Sequence, residues 1–228
     1  MKYELILFDA DETLFDFKKS ERVALENTIT DLGLTYDAMY HLPLYKEVNT
    51  RIWRELEEGK IQQSLLKTER FRRYADRLNI EIDASKVSVL YEKHLSEASF
   101  LYDESLSVIQ ALHSKCQLVI ITNGLTSVQK NRIGQSVIAP YFKTIIISEE
   151  VKAAKPNRKI FEIALDSVHF TDKSKVLIVG DSLTSDIQGG INFGIDTCWF
   201  NPNHRENKTQ IRPTYKIADL YELLALLR

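Results

Sequence analysis

Cysteine is scarce in this chain: Cys116 and Cys198 are its two thiols, and both lie beside apolar, strand-like runs. They read as reduced buried thiols, and a disulfide framework is excluded. No Cys/His cluster has zinc spacing. Charge of either sign is not in excess. The formal net charge is −2 with a pI near 6.2, so no bulk attraction to a nucleic acid polymer or an anionic membrane follows. Any anionic ligand must be held by a local site. Long apolar runs are missing too. The stretch after the N-terminus meets acidic residues by Asp9, too soon for a signal peptide or a membrane span. No internal repeat or low-complexity segment interrupts the chain. A soluble, cytoplasmic protein is expected.

Hydrophobic residues make up 44% of the 228 positions, enough for a full core. Five short apolar runs predict strands: Leu5–Phe8, Leu118–Thr122, Thr144–Ser148, Val176–Gly180 and Thr197–Phe200. They are rich in Ile and Val and do not alternate with polar residues, which suits strands covered on both faces of a parallel sheet. Helical spacing appears over Ser105–Ser114, Asn157–Val168 and Ser185–Phe193, the last stopping at Gly194. This order predicts a doubly wound, Rossmann-like α/β core. Between residues 17 and 100 no strand is legible. Leu44, Val48, Ile52 and Leu56 form one helical stripe, and Gly59 ends it. Further stripes run through Ile61–Leu78, Val87–Leu95 and Val23–Leu32. The expected division is a discontinuous core of 1–16 and 101–228, with a helical module of 17–100 inserted after the first strand.

Ligands of open α/β sheets bind outside the carboxyl ends of the strands. Those ends carry Asp9 and Asp11, then Thr122-Asn123-Gly124, Lys155-Pro156, and Gly180-Asp181-Ser182 with Asp186 beyond. Asp9, Asp11 and Asp181 brought together would repel one another without a cation. Oxygen ligands with no His or Cys point to a hard ion, Mg²⁺ first. Three carboxylates, a metal, a lysine and a threonine supply what phosphoryl transfer needs. A carboxylate nucleophile needs no base, and a second carboxylate two residues on can protonate a leaving oxygen and then activate water. Lys152 rivals Lys155, but Pro156 favours Lys155 because proline suits a first helical turn.

These four stretches, in this order, resemble the motifs of the haloacid dehalogenase superfamily over essentially the whole chain. The resemblance implies a nucleophilic Asp9 that forms an aspartyl-phosphate. It implies that Asp11 is the general acid/base, with its backbone carbonyl on the metal. Thr122 and the Asn123 backbone would hold the phosphoryl group, and Lys155 would neutralise Asp9 and the phosphate. Asp181 would bind Mg²⁺, and Asp186 would orient a metal-bound water or bind directly. The presence of Asp11 favours a phosphatase or phosphomutase over a dehalogenase. The helical module resembles the superfamily's C1 cap. Within it, Trp53-Arg54-Glu55-Leu56-Glu57-Glu58-Gly59-Lys60 and Leu66-Lys67-Thr68-Glu69-Arg70-Phe71 are similar to YjjG-type pyrimidine 5′-nucleotidases.

A small-molecule phosphomonoester is therefore the expected partner, a nucleoside 5′-monophosphate first. A sugar-phosphate phosphatase or mutase is the alternative. A phosphoacceptor signalling module is a distant one, since receiver domains are about half this length and lack the insert. A binding protein without catalysis is disfavoured, because every polar group of the site is present. Trp53 and Phe71 are candidates for stacking a base, although aromatics at helical spacing more often form core. Arg51, Arg54, Arg70, Arg72, Arg73 and Arg77 read by default as solvated helix faces.

Overall fold

The computed structural model describes residues 2–226. Residues 1, 227 and 228 of the expected core, and the side chains of Glu57 and Gln63, lie outside that description. The chain divides into two compact units, Met1–Lys18 with Ser99–Arg228 and Lys19–Ala98.

The first unit is built on a six-stranded sheet, all of whose neighbouring strands run parallel. Its strands are β1 (Leu5–Phe8), β2 (Gln117–Thr122), β3 (Thr144–Ile147), β4 (Val176–Gly180), β5 (Asp196–Phe200) and β6 (Tyr215–Ile217), in the order β3-β2-β1-β4-β5-β6. Every residue of β1 and β4 is buried. That is why these runs read as unbroken apolar segments: both faces are covered. Ile6, Phe8, Ile120 and Val179 point to one face, where Val108, Ile109 and Leu112 of α5 (Ser105–His113) pack. Leu5, Leu7, Ile121 and Ile178 point to the other, against Ile160, Phe161, Ala164 and Leu165 of α8 (Arg158–Asp166). Each such aliphatic side chain contributes about 1.5–3 kcal/mol when fully buried. The strand order reverses between β1 and β4, so a crevice is expected outside their carboxyl ends.

Helix α1 (Phe17–Asp31) starts in this unit and continues into the second, which holds α2 (Ala38–Glu57), α3 (Gln63–Leu78) and α4 (Ala84–Glu97). Asp37 and Asp83 cap α2 and α4 by accepting backbone N–H bonds. The core of this unit is aromatic. Tyr45, Phe71 and Tyr91 have ring centroids 5.1–6.0 Å apart, so Phe71 is a core residue here. Arg70 departs from its expected place on a solvated face. It is only 3% exposed, and its guanidinium lies 4.9 Å from the Tyr91 ring and 5.0 Å from the Phe71 ring. Asn49 accepts a bond from Arg70 Nη1 (3.1 Å) and donates to the buried Glu21 (2.8 Å), relaying the charge between the ions. Arg73 is half-buried between Glu55 and Glu69. Among the described residues no helix is long and apolar enough to cross a membrane.

Several elements escaped the sequence reading. Among them are β6, a three-residue edge strand, and the short helices α7 (Ser148–Val151) and α10 (Tyr221–Leu226). Another is α6 (Thr126–Gly134), which follows Thr122-Asn123-Gly124 directly.

Candidate active site

β1 ends at Phe8, and the chain turns at once. Leu14 and Phe15 N–H both donate to the Ala10 carbonyl, and Glu12 is left-handed at φ 61°. A non-glycine residue there costs about 1–3 kcal/mol and persists only where its surroundings hold it. Here the Glu12 carboxylate accepts the Lys18 backbone N–H and pairs with the Lys18 ammonium. The tight loop fixes Asp9 at the strand end and turns Asp11 toward α6.

Asp9 is 7% exposed. Lys155 Nζ donates to Asp9 Oδ1 at 2.5 Å and to the Ile121 carbonyl at 2.6 Å, and lies 2.7 Å from Asp186 Oδ1. Lys155 is buried against Asp9, while Lys152 is exposed. Asn123 ties the lysine segment to the end of β2 by two reciprocal bonds of 2.8 Å, Nδ2 to the Lys155 carbonyl and Lys155 N–H to Oδ1. Across the switch point, β4 delivers Asp181. Its backbone carbonyl accepts from Trp199 Nε1 (2.9 Å) and Arg205 Nη2 (2.8 Å), and its carboxylate pairs with Arg205 at 3.1 Å. Asp186 sits on the turn Leu183–Ile187 that leads into α9 (Gln188–Phe193), and its Oδ2 accepts the Ser182 N–H. Gly180 makes this approach possible: a Cβ there would lie 2.3 Å from Asp186 Cγ.

Asp9, Asp181 and Asp186 each offer a carboxylate oxygen, all within 4.8 Å of one another. Burial holds the Asp9 carboxyl well above the usual carboxylate range; Lys155 opposes the shift, and Asp186, Asp181 and Asp11 add to it. Asp181 is pushed up to about 7, by burial first and then by Asp186, against the pull of Arg205. For Lys155, burial works against the charge, yet Asp186 and Asp9 together raise its pKa. An oxygen-only, electron-rich cluster of this kind fits a hard divalent cation.

The Asp11 carboxylate is not in that cluster. Arg132 Nη2 pairs with its Oδ1, and Gln129 Nε2 donates to its Oδ2 at 2.8 Å. Gln129 also donates to Thr122 Oγ1 at 3.0 Å. Both Gln129 and Arg132 come from α6 and are buried, and Gly124 leaves room for Gln129, whose Cγ would be 2.5 Å from an added Cβ. So Asp9, Lys155, Asp181 and Asp186 come together around one cluster, with Asn123 bonded to the Lys155 backbone. Asp11 and Thr122 form a second group, joined through Gln129. Sequence reasoning missed Gln129, Arg132 and Arg205. For Gln129 and Arg132 the only signal was proximity to a motif, two polar residues three apart just after Thr-Asn-Gly; Arg205 carried none.

Residues 3–194 match the haloacid dehalogenase-like hydrolase family. The chain belongs to that family. Pyrimidine 5′-nucleotidase YjjG of Escherichia coli is 38% identical to this hydrolase over 227 residues, covering 100% of this chain and 99% of the relative. Pyrimidine 5′-nucleotidase PynA of Streptococcus pneumoniae is 36% identical and covers 98% and 94%. Among solved structures, YfnB of Bacillus subtilis bound to magnesium superposes with a TM-score of 0.94 at 34% identity, covering both chains fully. The fold, the family and the hydrolase class expected from the sequence are thereby shown.

Proposed function

We propose that this hydrolase is a Mg²⁺-dependent phosphomonoesterase that works through an aspartyl-phosphate and acts on nucleoside 5′-monophosphates, pyrimidines favoured. The observation that supports the chemistry is the Asp9–Asp181–Asp186 cluster with Lys155 seated on Asp9. Lys155 occupies Asp9 Oδ1, and Oδ2 receives only a long bond of 3.3 Å from Thr13. Oδ2 is the attacking atom of this reading. The Thr122 hydroxyl and the Asn123 backbone bind phosphoryl oxygens. Asp11 gives a proton to the leaving oxygen and later takes one from the attacking water. Asp9 and Asp181, the Asp11 backbone carbonyl, and Asp186 directly or through water would hold Mg²⁺. When bound, the ion neutralises the cluster and the phosphoryl oxygens. The support for the substrate is full-length similarity to two pyrimidine 5′-nucleotidases. The division into a core of 1–16 with 101–228 and a helical cap of 17–100 is part of this proposal, with the cap reading the leaving group.

The test is phosphate release from UMP, dUMP, dTMP, AMP, glucose-1-phosphate and p-nitrophenyl phosphate, with Mg²⁺ and with EDTA. Mg²⁺-dependent release favouring the pyrimidine nucleotides is expected. Release from glucose-1-phosphate alone would retain the chemistry and remove the nucleotide assignment.

A further inference from the structure

Arg132 is wholly buried, yet only one corner of it is engaged. Nη2 contacts Asp11 Oδ1 and donates to Gln129 Oε1 at 2.6 Å, while Nε and Nη1 have no partner. The plane lies 5.0 Å from the Phe15 ring and 5.3 Å from the Phe17 ring. A side chain selected for packing alone would not leave two donors dry against aromatic faces. The contact also settles which way Gln129 points. Arginine only donates, so the Gln129 oxygen faces Arg132 and its NH₂ faces Asp11 and Thr122. Both Asp11 oxygens are then held, Oδ1 by Arg132 and Oδ2 by Gln129. Thr122 Oγ1 accepts from Gln129, which leaves its own proton free to point elsewhere.

We propose that Arg132 and Gln129 are positioning residues that hold Asp11 as the proton acceptor for the water step and turn the Thr122 hydroxyl proton toward a phosphoryl oxygen. This rests on the aspartyl-phosphate reading above. In that step water oxygen bonds to phosphorus and the bond from phosphorus to the Asp9 oxygen breaks. Its electron pair returns to Asp9, and the proton of the water passes to Asp11. The pair from α6 fixes where the proton goes and where the phosphoryl group is gripped.

The experiment uses p-nitrophenyl phosphate, whose leaving group departs without a proton, so the wrong choice of natural substrate does not affect it. Wild type, Arg132→Met and Arg132→Lys are compared with Mg²⁺ by rapid mixing, and the acid-quenched enzyme is assayed for bound phosphate. For Arg132→Met we expect kcat to fall about 10²-fold, the range for a lost general base, with kcat/KM nearly unchanged. A stoichiometric nitrophenol burst and accumulation of phosphorylated enzyme should accompany it. Arg132→Lys restores part of kcat because it retains a donor. Equal falls in kcat and kcat/KM with no burst, or an unchanged kcat, would overturn the proposal. If Arg132→Met does not fold, Arg132→Lys and Gln129→Met give the same readout. Gln129→Glu removes the donors to Asp11 and Thr122 and should raise the inhibition constant of inorganic phosphate about tenfold, the equivalent of one hydrogen bond. An unchanged constant would overturn the Thr122 part. Turnover without phosphorylated enzyme in either wild type or variant would instead remove the aspartyl-phosphate reading beneath it.

Discussion

Replacing Asp181 by Asn removes one negative charge from a cluster that has too many. The Asp181 side chain is 19% exposed, and its carboxyl is pushed up to about 7, by burial first and Asp186 next. In the unfolded chain it would titrate near 3.8. Between these values the folded state holds a proton that the unfolded state has released, so stability falls as pH rises through that window. The shift is about three units, which gives a ceiling of about 4 kcal/mol at 1.36 kcal/mol per unit. Urea unfolding in EDTA at pH 5 and pH 8 reads this directly. Wild type should lose more stability over that interval than Asp181→Asn, and the variant should be the more stable protein at pH 8. The Asn side chain can still accept from Arg205, so the pairing partner is not orphaned. Millimolar Mg²⁺ should raise the wild-type midpoint at pH 8 and do much less for the variant. An Asp181→Asn protein with the same pH slope as wild type, or one less stable at pH 8 in EDTA, would refute this account of the cluster.

Asp9→Asn should abolish turnover while leaving the far-ultraviolet circular dichroism unchanged; wild-type-like phosphate release would remove Asp9 from the reaction. Gly124→Ala places a Cβ 2.5 Å from Gln129 Cγ and Nε2. The far end of that side chain can move, so activity should fall at least tenfold with a stability loss within about 1–3 kcal/mol, and a variant with full activity would contradict the close packing. Burial pushes the Cys116 thiol up to about 11 and the Cys198 thiol up to about 12. Native protein at pH 8 should therefore resist iodoacetamide, with both sites labelled only after unfolding; stoichiometric labelling of the folded protein is the contrary result.

The parts of the fold that were legible share one property: their buried faces are apolar. β1, β2, β3, β4 and β5 are covered on both sides, so composition alone marks them to within a residue. α6 was invisible for the opposite reason. Its buried face is Val128, Gln129, Arg132 and Ile133, and the two polar members in the middle erase the hydrophobic period. Both are bonded to the site, Gln129 to Asp11 and Thr122 and Arg132 to Asp11, so the contacts that bury these side chains also hide the helix from a periodicity reading. β6 has three residues with an exposed Lys216 between Tyr215 and Ile217, too short for periodicity to register. The Asp186 carboxylate could be foreseen as an acidic group near the site. Its approach to Asp9 and Asp181 depends on Gly180 and the turn after it, which no spacing rule describes.

An ammonium group has three protons, and Lys155 places two of them, on Asp9 Oδ1 and on the Ile121 carbonyl. Asp186 Oδ1 lies 2.7 Å from the same nitrogen as a charge contact but takes part in no hydrogen bond. One proton of the ammonium is therefore uncommitted. A phosphoryl oxygen can accept it without displacing Asp9 or the backbone carbonyl, so the lysine can hold the nucleophile and the group it attacks at the same time.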